Sequence, residues 1–407
     1  MRHVIVGGGI AGVTVAETLR DRDPDAEVVV FNAETEPLYS RMLLKEFAKG
    51  ATDEAAVRIH GPDWFAERDI ELRAGERVVA ATDSTVETDA GEALAFDRLF
   101  VTAGGRQVDP FGVEAENVTG MWTLEETRRI RELAESGEMG TAVVIGAGFL
   151  GLELADALAI QGVDTHFVMR GHWSRHGVGE AGAAIVHQAL EDHGVHVDDH
   201  QSIEEFVMDG DRVAAVRTTE AEIPCDYVGL AVGLAPNVDY LDGTAVEVDG
   251  GVVTDEHLQT AEPTIYAAGD IARYYDVHLG RLHSNGTWLS AIEQARVAAR
   301  HALGEDVRFE FVEGHSVAIR GLEAPVVFLA DWDGDLPAIE RVYGDDHYRR
   351  LVFEDDRLVG ASLIGESGDV VGQLKQLIRD GTAFPGDEKD RLLAPRLDHD
   401  ALVAELA

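Results

Sequence analysis

The 407-residue chain contains one cysteine, Cys225. A lone thiol closes no intrachain disulfide and builds no metal-ligand cluster. Disulfide scaffolds, dithiol redox relays and cysteine-rich zinc sites are therefore excluded within this chain. Its setting, Glu222-Ile223-Pro224-Cys225-Asp226 ahead of an apolar run, predicts a small buried or half-buried side chain. Lysine is nearly as scarce: Lys45, Lys49, Lys375 and Lys389 are the full set, and arginine carries the remaining positive charge. Against 34 basic residues stand 76 acidic ones, for a formal net charge of −42. A surface this acidic excludes nucleic acid and anionic membranes as partners. It reads as adaptation to molar salt, where self-repulsion is screened to a few Å. No apolar run approaches the roughly 18 residues needed to span a bilayer. The first residues enter a strand pattern directly, so no secretory leader is expected and a cytoplasmic protein is predicted.

What the chain has is glycine in a particular spacing. Val4-Ile5-Val6-Gly7-Gly8-Gly9-Ile10-Ala11-Gly12 joins an apolar run to a G-x-G-x-x-G turn and a periodic segment, Val13 to Arg20. This reads as strand, tight turn and helix. Gly7 permits the turn, Gly9 lets a pyrophosphate approach the backbone, and Gly12 lets the helix lie close to the strand. Phosphates would sit at the helix N-terminus, where unpaired N–H groups and the dipole favour negative charge. Val143-Val144-Ile145-Gly146-Ala147-Gly148-Phe149-Leu150-Gly151 repeats the pattern, with Gly146, Gly148 and Gly151 in the same places. One such match is weak. Two in one chain predict two dinucleotides facing each other, an arrangement that moves a hydride. The hydrophobic content of 45 % supports ordinary cores, and the length suits two or three domains.

Glu27 to Phe31 reads as the second strand of the first fold. An acidic group just beyond it commonly holds the adenosine ribose hydroxyls, which makes Glu34 the candidate and Asn32 the next choice. In the second fold the corresponding strand ends at His166-Phe167-Val168-Met169-Arg170, and no acid occupies 166–172. Arg170 and Arg175 stand there instead, with His172 between them. A missing carboxylate removes repulsion of a 2′-phosphate and an arginine fork can grip one, so NADPH is favoured over NADH. Residues 70–101 alternate short apolar runs with polar turns and read as a small antiparallel sheet. A charged helix is expected from Glu125 to Glu135 and another helix from Leu289 to Ala302. From about residue 306 short strands return, Phe309-Glu310-Phe311 and Val326-Val327-Phe328-Leu329 among them, before a helix over Val370–Arg379.

Tyr39-Ser40-Arg41-Met42-Leu43-Leu44-Lys45-Glu46, Asp97-Arg98-Leu99-Phe100-Val101-Thr102-Ala103-Gly104, Asp226 to Asn237 and Thr264-Ile265-Tyr266-Ala267-Ala268-Gly269-Asp270 carry a resemblance. Together with the two glycine turns they resemble the FAD/NAD(P)-dependent pyridine nucleotide-disulfide oxidoreductase-like family. The likeness covers roughly residues 2–380. It is greatest to the thiol-free branch of rubredoxin reductases, nitrite reductase flavin domains and ferredoxin reductases. The resemblance implies that the Tyr39–Leu44 segment runs beside the flavin, with Arg41 on cofactor phosphates or nearby backbone. Ferredoxin reductases place a lysine near flavin N5 seven residues after that tyrosine; here Glu46 fills the slot and Lys45 precedes it. Oxidase and peroxidase relatives carry a catalytic cysteine in this region, where Met42, Leu43 and Leu44 stand. Val78, Ala103 and Gly104 are implied flavin contacts, although Thr102-Ala103 reverses the usual Ala-Thr. Asp270 is implied on the ribityl chain, and Asn285 and Trp288 at the helix aimed at the flavin pyrimidine ring, whose dipole would stabilise charge at N1. Glu153 is implied at the nicotinamide end and Gly233 beside the nicotinamide cofactor. Glu153 and Lys45 are thus the catalytic candidates.

The expected fold is α/β, with two Rossmann-like dinucleotide-binding domains of the glutathione-reductase-like type and a small α+β C-terminal domain. The expected boundaries are 1–111 with 246–305 for FAD, 112–245 for NAD(P)H and 306–384 for the C-terminal domain, with 385–407 as a charged tail. The expected activity is transfer of electrons from NAD(P)H through FAD to an external acceptor, a small redox protein of ferredoxin or rubredoxin type. No metal is required, and the resemblance implies a homodimer. Two other readings are an NAD(P)H oxidase or peroxidase, and a non-enzymatic redox-sensing flavoprotein.

Overall fold

The computed structural model describes residues 1–174, 177–284, 286–312, 314–322, 324–331, 336–400 and Leu402. The chain divides into two compact units, residues 1–43, 53–106 and 234–311 in one, and residues 44–52, 107–233 and 312–407 in the other.

The first unit is built on a five-stranded parallel sheet. Its order is Ile265–Ala267, Arg98–Val101, Arg2–Val6, Glu27–Asn32, Glu71–Ala74. Apart from Glu71–Ala74 at the sheet edge, these strands are nearly continuous apolar runs, as strands covered on both faces must be. Val4, Ile5, Val29, Val30, Leu99 and Ile265 are fully buried. The helices Ile10–Arg22 and Trp288–Ala302 pack on one another. Close approach is possible because their buried positions are small, Ala11, Gly12 and Ala16 on one and Ala291, Ala295 and Ala298 on the other. Within 70–101, only Val78–Ala81, Thr85–Thr88 and Ala93–Ala95 form the expected antiparallel sheet. Leu99-Phe100-Val101 belongs instead to the parallel sheet, pairing with Arg2–Val6. That run has no polar alternation, which is the mark of a strand covered on both faces rather than a half-exposed one.

The second unit repeats the design. Its parallel sheet runs Val195–Asp198, Asp164–Val168, Thr141–Ile145, Tyr227–Leu230, Val118–Thr119. The helices Leu124–Ser136, Phe149–Ile160 and Glu180–Glu191 belong to this unit. The first of these starts at a capping box in which Thr123 and Glu126 satisfy each other's backbone N–H groups. An antiparallel meander, Ile203–Asp209, Arg212–Thr218 and Glu222–Pro224, shares a small core with the sheet. Cys225 lies in that core, and burial pushes its thiol up to about 12.

The remainder of the second unit is a five-stranded antiparallel sheet in the order Gly314–Val317, Val326–Ala330, Arg357–Ile364, His347–Glu354, Ala338–Tyr343, with the helix Gly368–Asp380. Phe309–Phe311 forms no strand; Phe309 is buried in the core of the first unit. The stretch after 385 does more than trail. Gly386–Leu393 is a 3-10 helix, and Leu392, Leu393 and Leu397 enter the core beneath the antiparallel sheet. No described helix is long and apolar enough to cross a membrane.

Candidate functional site

The first glycine turn is shaped by what a side chain would strike. Gly7 sits at φ +116°, and a Cβ there would lie 2.3 Å from the Thr102 carbonyl oxygen. A Cβ on Gly12 would lie 1.9 Å from the Gly7 carbonyl oxygen, so glycine is what lets the helix rest on the turn. Gly9 differs: an added Cβ would meet nothing within 4 Å. Gly9 also caps the helix Ile10–Arg22 without any side-chain hydrogen bond. The first-turn N–H groups are therefore left for an anion, beside open space where a pyrophosphate fits.

The second turn repeats this residue for residue. Gly146, at φ +130°, would place a Cβ 2.1 Å from the Ala231 carbonyl oxygen, and Gly151 would place one 2.3 Å from the Gly146 carbonyl oxygen. Gly148, like Gly9, has nothing within 4 Å of its missing Cβ and caps its helix with no side chain. The residues of both turns fit a dinucleotide pyrophosphate.

Around the first turn, Asn32 is buried and donates from Nδ2 to the Glu36 carbonyl at 2.8 Å. Glu34 accepts from the Tyr39 hydroxyl at 2.7 Å through one oxygen and from Arg41 Nη2 at 2.7 Å through the other. The two groups expected on ribose and phosphate thus stand side by side. Val78 is buried in the antiparallel sheet and Ala103 is half-buried. Gly104, at φ +58°, accepts from Asn237 N at 3.0 Å, and Asn237 Nδ2 donates to the Ala103 carbonyl at 2.9 Å. Asp270 follows Gly269, whose N–H donates to the buried Gln294 Oε1 at 2.8 Å. Burial pushes the Asp270 carboxyl upward, partly opposed by the Arg41 guanidinium. Trp288 opens its helix behind the Thr287 cap and packs, partly buried, on the first core. Asn285 and Arg175 lie outside the described residues.

Three supports escaped the sequence reading. The Thr102 hydroxyl donates to the carbonyls of Val6 and Gly7, each at 3.1 Å, tying the strand end to the turn. The Thr-Ala order thus has a use of its own. Gln294 holds the turn at Gly269 and Asn237 the turn at Ala103-Gly104. Asn237 ends one of the segments that carry the resemblance, though not in this role, whereas nothing local marks Gln294, one polar residue in an alanine-rich helix.

In the second unit Lys45 Nζ lies 2.6 Å from Glu153 Oε1, both side chains largely buried. The two catalytic candidates are brought together, while Glu46 pairs with Lys49 at 3.5 Å. Beside them His315 packs at a tilt of 55° on Phe149, the first residue after Gly148, at 4.3 Å between ring centroids. Burial first, then Lys45, lowers the His315 imidazole to about 4. Arg170 is exposed beyond the strand Asp164–Val168. Its loop is anchored by the buried Trp173, whose Nε1 points to the Gly148 carbonyl at 3.4 Å, and by Ser174 N donating to the Ala147 carbonyl at 3.0 Å. Gly233 takes φ +126° with open space at its missing Cβ.

A family model described as pyridine nucleotide-disulphide oxidoreductase matches residues 1–302. The chain belongs to this pyridine nucleotide-disulphide oxidoreductase family. FAD and NAD(P)H are the typical cofactors of the family. Among its members, the nitrite reductase [NAD(P)H] of Bacillus subtilis is 30 % identical over 385 residues, which is 90 % of this chain and 46 % of that protein. The chain therefore spans about half the length of that relative. Putidaredoxin reductase CamA of Pseudomonas putida is 32 % identical over 325 residues, 75 % of each chain. The crystal structure of the covalent putidaredoxin reductase–putidaredoxin complex superposes with a TM-score of 0.89 at 25 % identity, covering 100 % of this chain and 98 % of that one.

Proposed function

We propose that the protein is an FAD-dependent NAD(P)H oxidoreductase that passes electrons to a small external redox protein without a sulfur relay. The observation that carries this is the duplicated turn, in which Gly9 and Gly148 leave the same open cradle at an uncapped helix N-terminus. When bound, the two cofactors supply the redox chemistry, hydride passing from nicotinamide to flavin and electrons onward to the acceptor. The chain's own residues bind and orient. The first cradle and Asp270 hold FAD, with Glu34 on the ribose and Arg41 on the phosphates or nearby backbone. The second cradle, Arg170 and Gly233 hold NAD(P)H. Lys45 and Glu153 supply a fixed, partly desolvated ion pair at the catalytic position.

Cys225, the one cysteine, is buried with its thiol held protonated, so it supplies no thiolate. The chain thus offers no thiol relay, and electrons would pass from a bound flavin to the acceptor without one. The likeness to putidaredoxin reductase supports a ferredoxin-type acceptor. The absence of an acid at 166–172 and the exposed Arg170 support a preference for NADPH, and the acidic surface supports work at high salt. A cytoplasmic location and a homodimer are part of the same reading.

Anaerobic stopped-flow in concentrated salt tests it, with NADH and NADPH supplied separately and ferredoxins or ferricyanide added afterwards. Bleaching of bound flavin and fast one-electron turnover with little peroxide in air are expected. A colourless protein that takes up no flavin would end the proposal. Equal rates with both nucleotides would remove the NADPH preference, and dominant oxygen consumption would favour an oxidase. A long-lived reduced complex that no acceptor discharges would favour a redox sensor.

A further inference from the structure

Two neighbouring parallel strands of the second unit, Asp164–Val168 and Val195–Asp198, set two histidines side by side. His166 is in register with His196, and Val168 with Asp198. Side chains two apart on a strand share a face. Asp164, His166, His196 and Asp198 therefore project from one side, and the second strand is the sheet edge. The acids occupy opposite corners of this block. His166 Nδ1 lies 2.8 Å from Asp198 Oδ2, and His196 Nε2 lies 2.9 Å from Asp164 Oδ1. The two rings stack at 4.5 Å with 18° between their planes. One ligand atom from each of Asp164, His166 and His196 lies within 4.8 Å of the others, and among the described residues no other group of three does so.

We propose that Asp164, His166 and His196 bind one divalent transition-metal ion of the zinc class, with Asp198 orienting His166. Two imidazoles and a carboxylate are the donor set that such ions take, with water completing a tetrahedron. The Asp198 bond selects the tautomer: with its proton on Nδ1, His166 presents the Nε2 lone pair outward. A carboxylate behind a ligating histidine is the usual outer support of such sites. Burial divides the block in the way a site requires. His166 and Asp198 are each about one-fifth exposed, so the supporting pair is held. His196 and Asp164 are more than half exposed, so an ion reaches them from solvent. Imidazole lone pairs lie in the ring planes, so the more exposed His196 must turn out of its stack on His166 for both rings to face one ion, and the three ligand atoms, now within 4.8 Å of one another, must close to the roughly 3.3 Å that separates ligands at tetrahedral zinc. The ion would staple the sheet edge to the strand that leads into Arg170.

The test uses the full flavin-loaded protein in molar KCl with excess Mg2+, which saturates ordinary carboxylate sites but competes poorly for imidazole. Co2+ is titrated while its visible d–d absorption is followed, then displaced with Zn2+. One equivalent with a tetra- or pentacoordinate spectrum is expected. His196→Ala should weaken binding on the order of 100-fold and Asp198→Asn about 10-fold. A second measurement needs no variant: Zn2+ should protect His166 and His196 from diethylpyrocarbonate and leave the exposed His200 reactive. No binding, or the same binding in wild type and His196→Ala, shows that the block is only a pair of hydrogen-bonded ion pairs on an acidic surface, and the proposal is overturned. Unchanged reactivity of His166 and His196 in Zn2+ overturns it equally.

Discussion

Lys45 Nζ, on the short helix Leu44–Ala48, and Glu153 Oε1, on the helix Phe149–Ile160, are 2.6 Å apart, and both helices belong to the same unit as the second glycine turn. The pair is 20 % and 15 % exposed, so either charge left alone would be poorly solvated. We expect Lys45→Met and Glu153→Gln each to lower NAD(P)H-driven ferricyanide turnover by about 10-fold or more, with the double variant little worse than either single one. A coupling of about 1–3 kcal/mol in the cycle is the signature of residues acting as a unit. Additive losses would show that the two act separately.

The glycines separate folding from binding. Gly12→Ala forces a Cβ to 1.9 Å from a backbone oxygen and should cost stability as well as flavin. Gly9→Ala meets nothing within 4 Å, so the apo-protein should melt within about 1 °C of wild type while flavin affinity falls on the order of 100-fold. Gly148→Ala should keep the flavin and lose nucleotide binding by a similar factor. Visible absorbance and nucleotide titration distinguish these patterns. Loss of flavin from Gly148→Ala, or retention by Gly9→Ala, would reverse the assignment of the two cradles.

Both cradles were legible in the sequence because the constraint is local. Backbone strikes backbone at Gly7, Gly12, Gly146 and Gly151, and only glycine fits. The pairing of Lys45 with Glu153 spans 108 positions, and no spacing rule reaches that far. The supports Thr102, Asn237 and Gln294 were hidden for the same reason, since each bonds to backbone brought close by the fold. Leu99-Phe100-Val101 was misread as part of the antiparallel sheet because nearby turns suggested a meander, while its partners lie at residues 4–6 and 265–267. The tail after 385 reads as a charged segment because its apolar residues are few, yet Leu392, Leu393 and Leu397 join the core.

Arg349 holds that tail. Its side chain is fully buried, with Nε and Nη2 on Glu366 Oε1 at 2.8 and 2.5 Å and Nη1 on the carbonyls of Leu392 and Ala394 at 2.6 and 2.9 Å. Arg349→Ala leaves a buried carboxylate and two buried carbonyls without their donor. We expect a loss of about 3–5 kcal/mol in denaturant unfolding, since breaking one side of a buried pair costs more than the pair contributes. Arg349→Lys keeps the charge but not the fork, and should recover only part of the loss. A change below about 1 kcal/mol for Arg349→Ala would mean that solvent reaches Glu366 once the arginine is gone.

His3 makes stability fall in acid. It is fully buried in the first strand, neither ring nitrogen has a hydrogen-bond partner among the described residues, and burial lowers its imidazole from 6.5 to about 4. The unfolded chain therefore binds more protons than the folded one between those values. Stability is intact above pH 6.5 and is lost as pH falls through about 4, by about 3 kcal/mol for this one group. His315, also lowered to about 4, contributes in the same direction. We expect His3→Leu to remove the His3 share of this loss, so that its stability advantage over wild type grows as pH drops from 6.5 to 4. Denaturant unfolding of both proteins in the same concentrated salt, which screens the changing carboxylate charge, gives the difference directly. Parallel pH profiles would mean that His3 is already protonated in the folded protein and has found a partner for its charge.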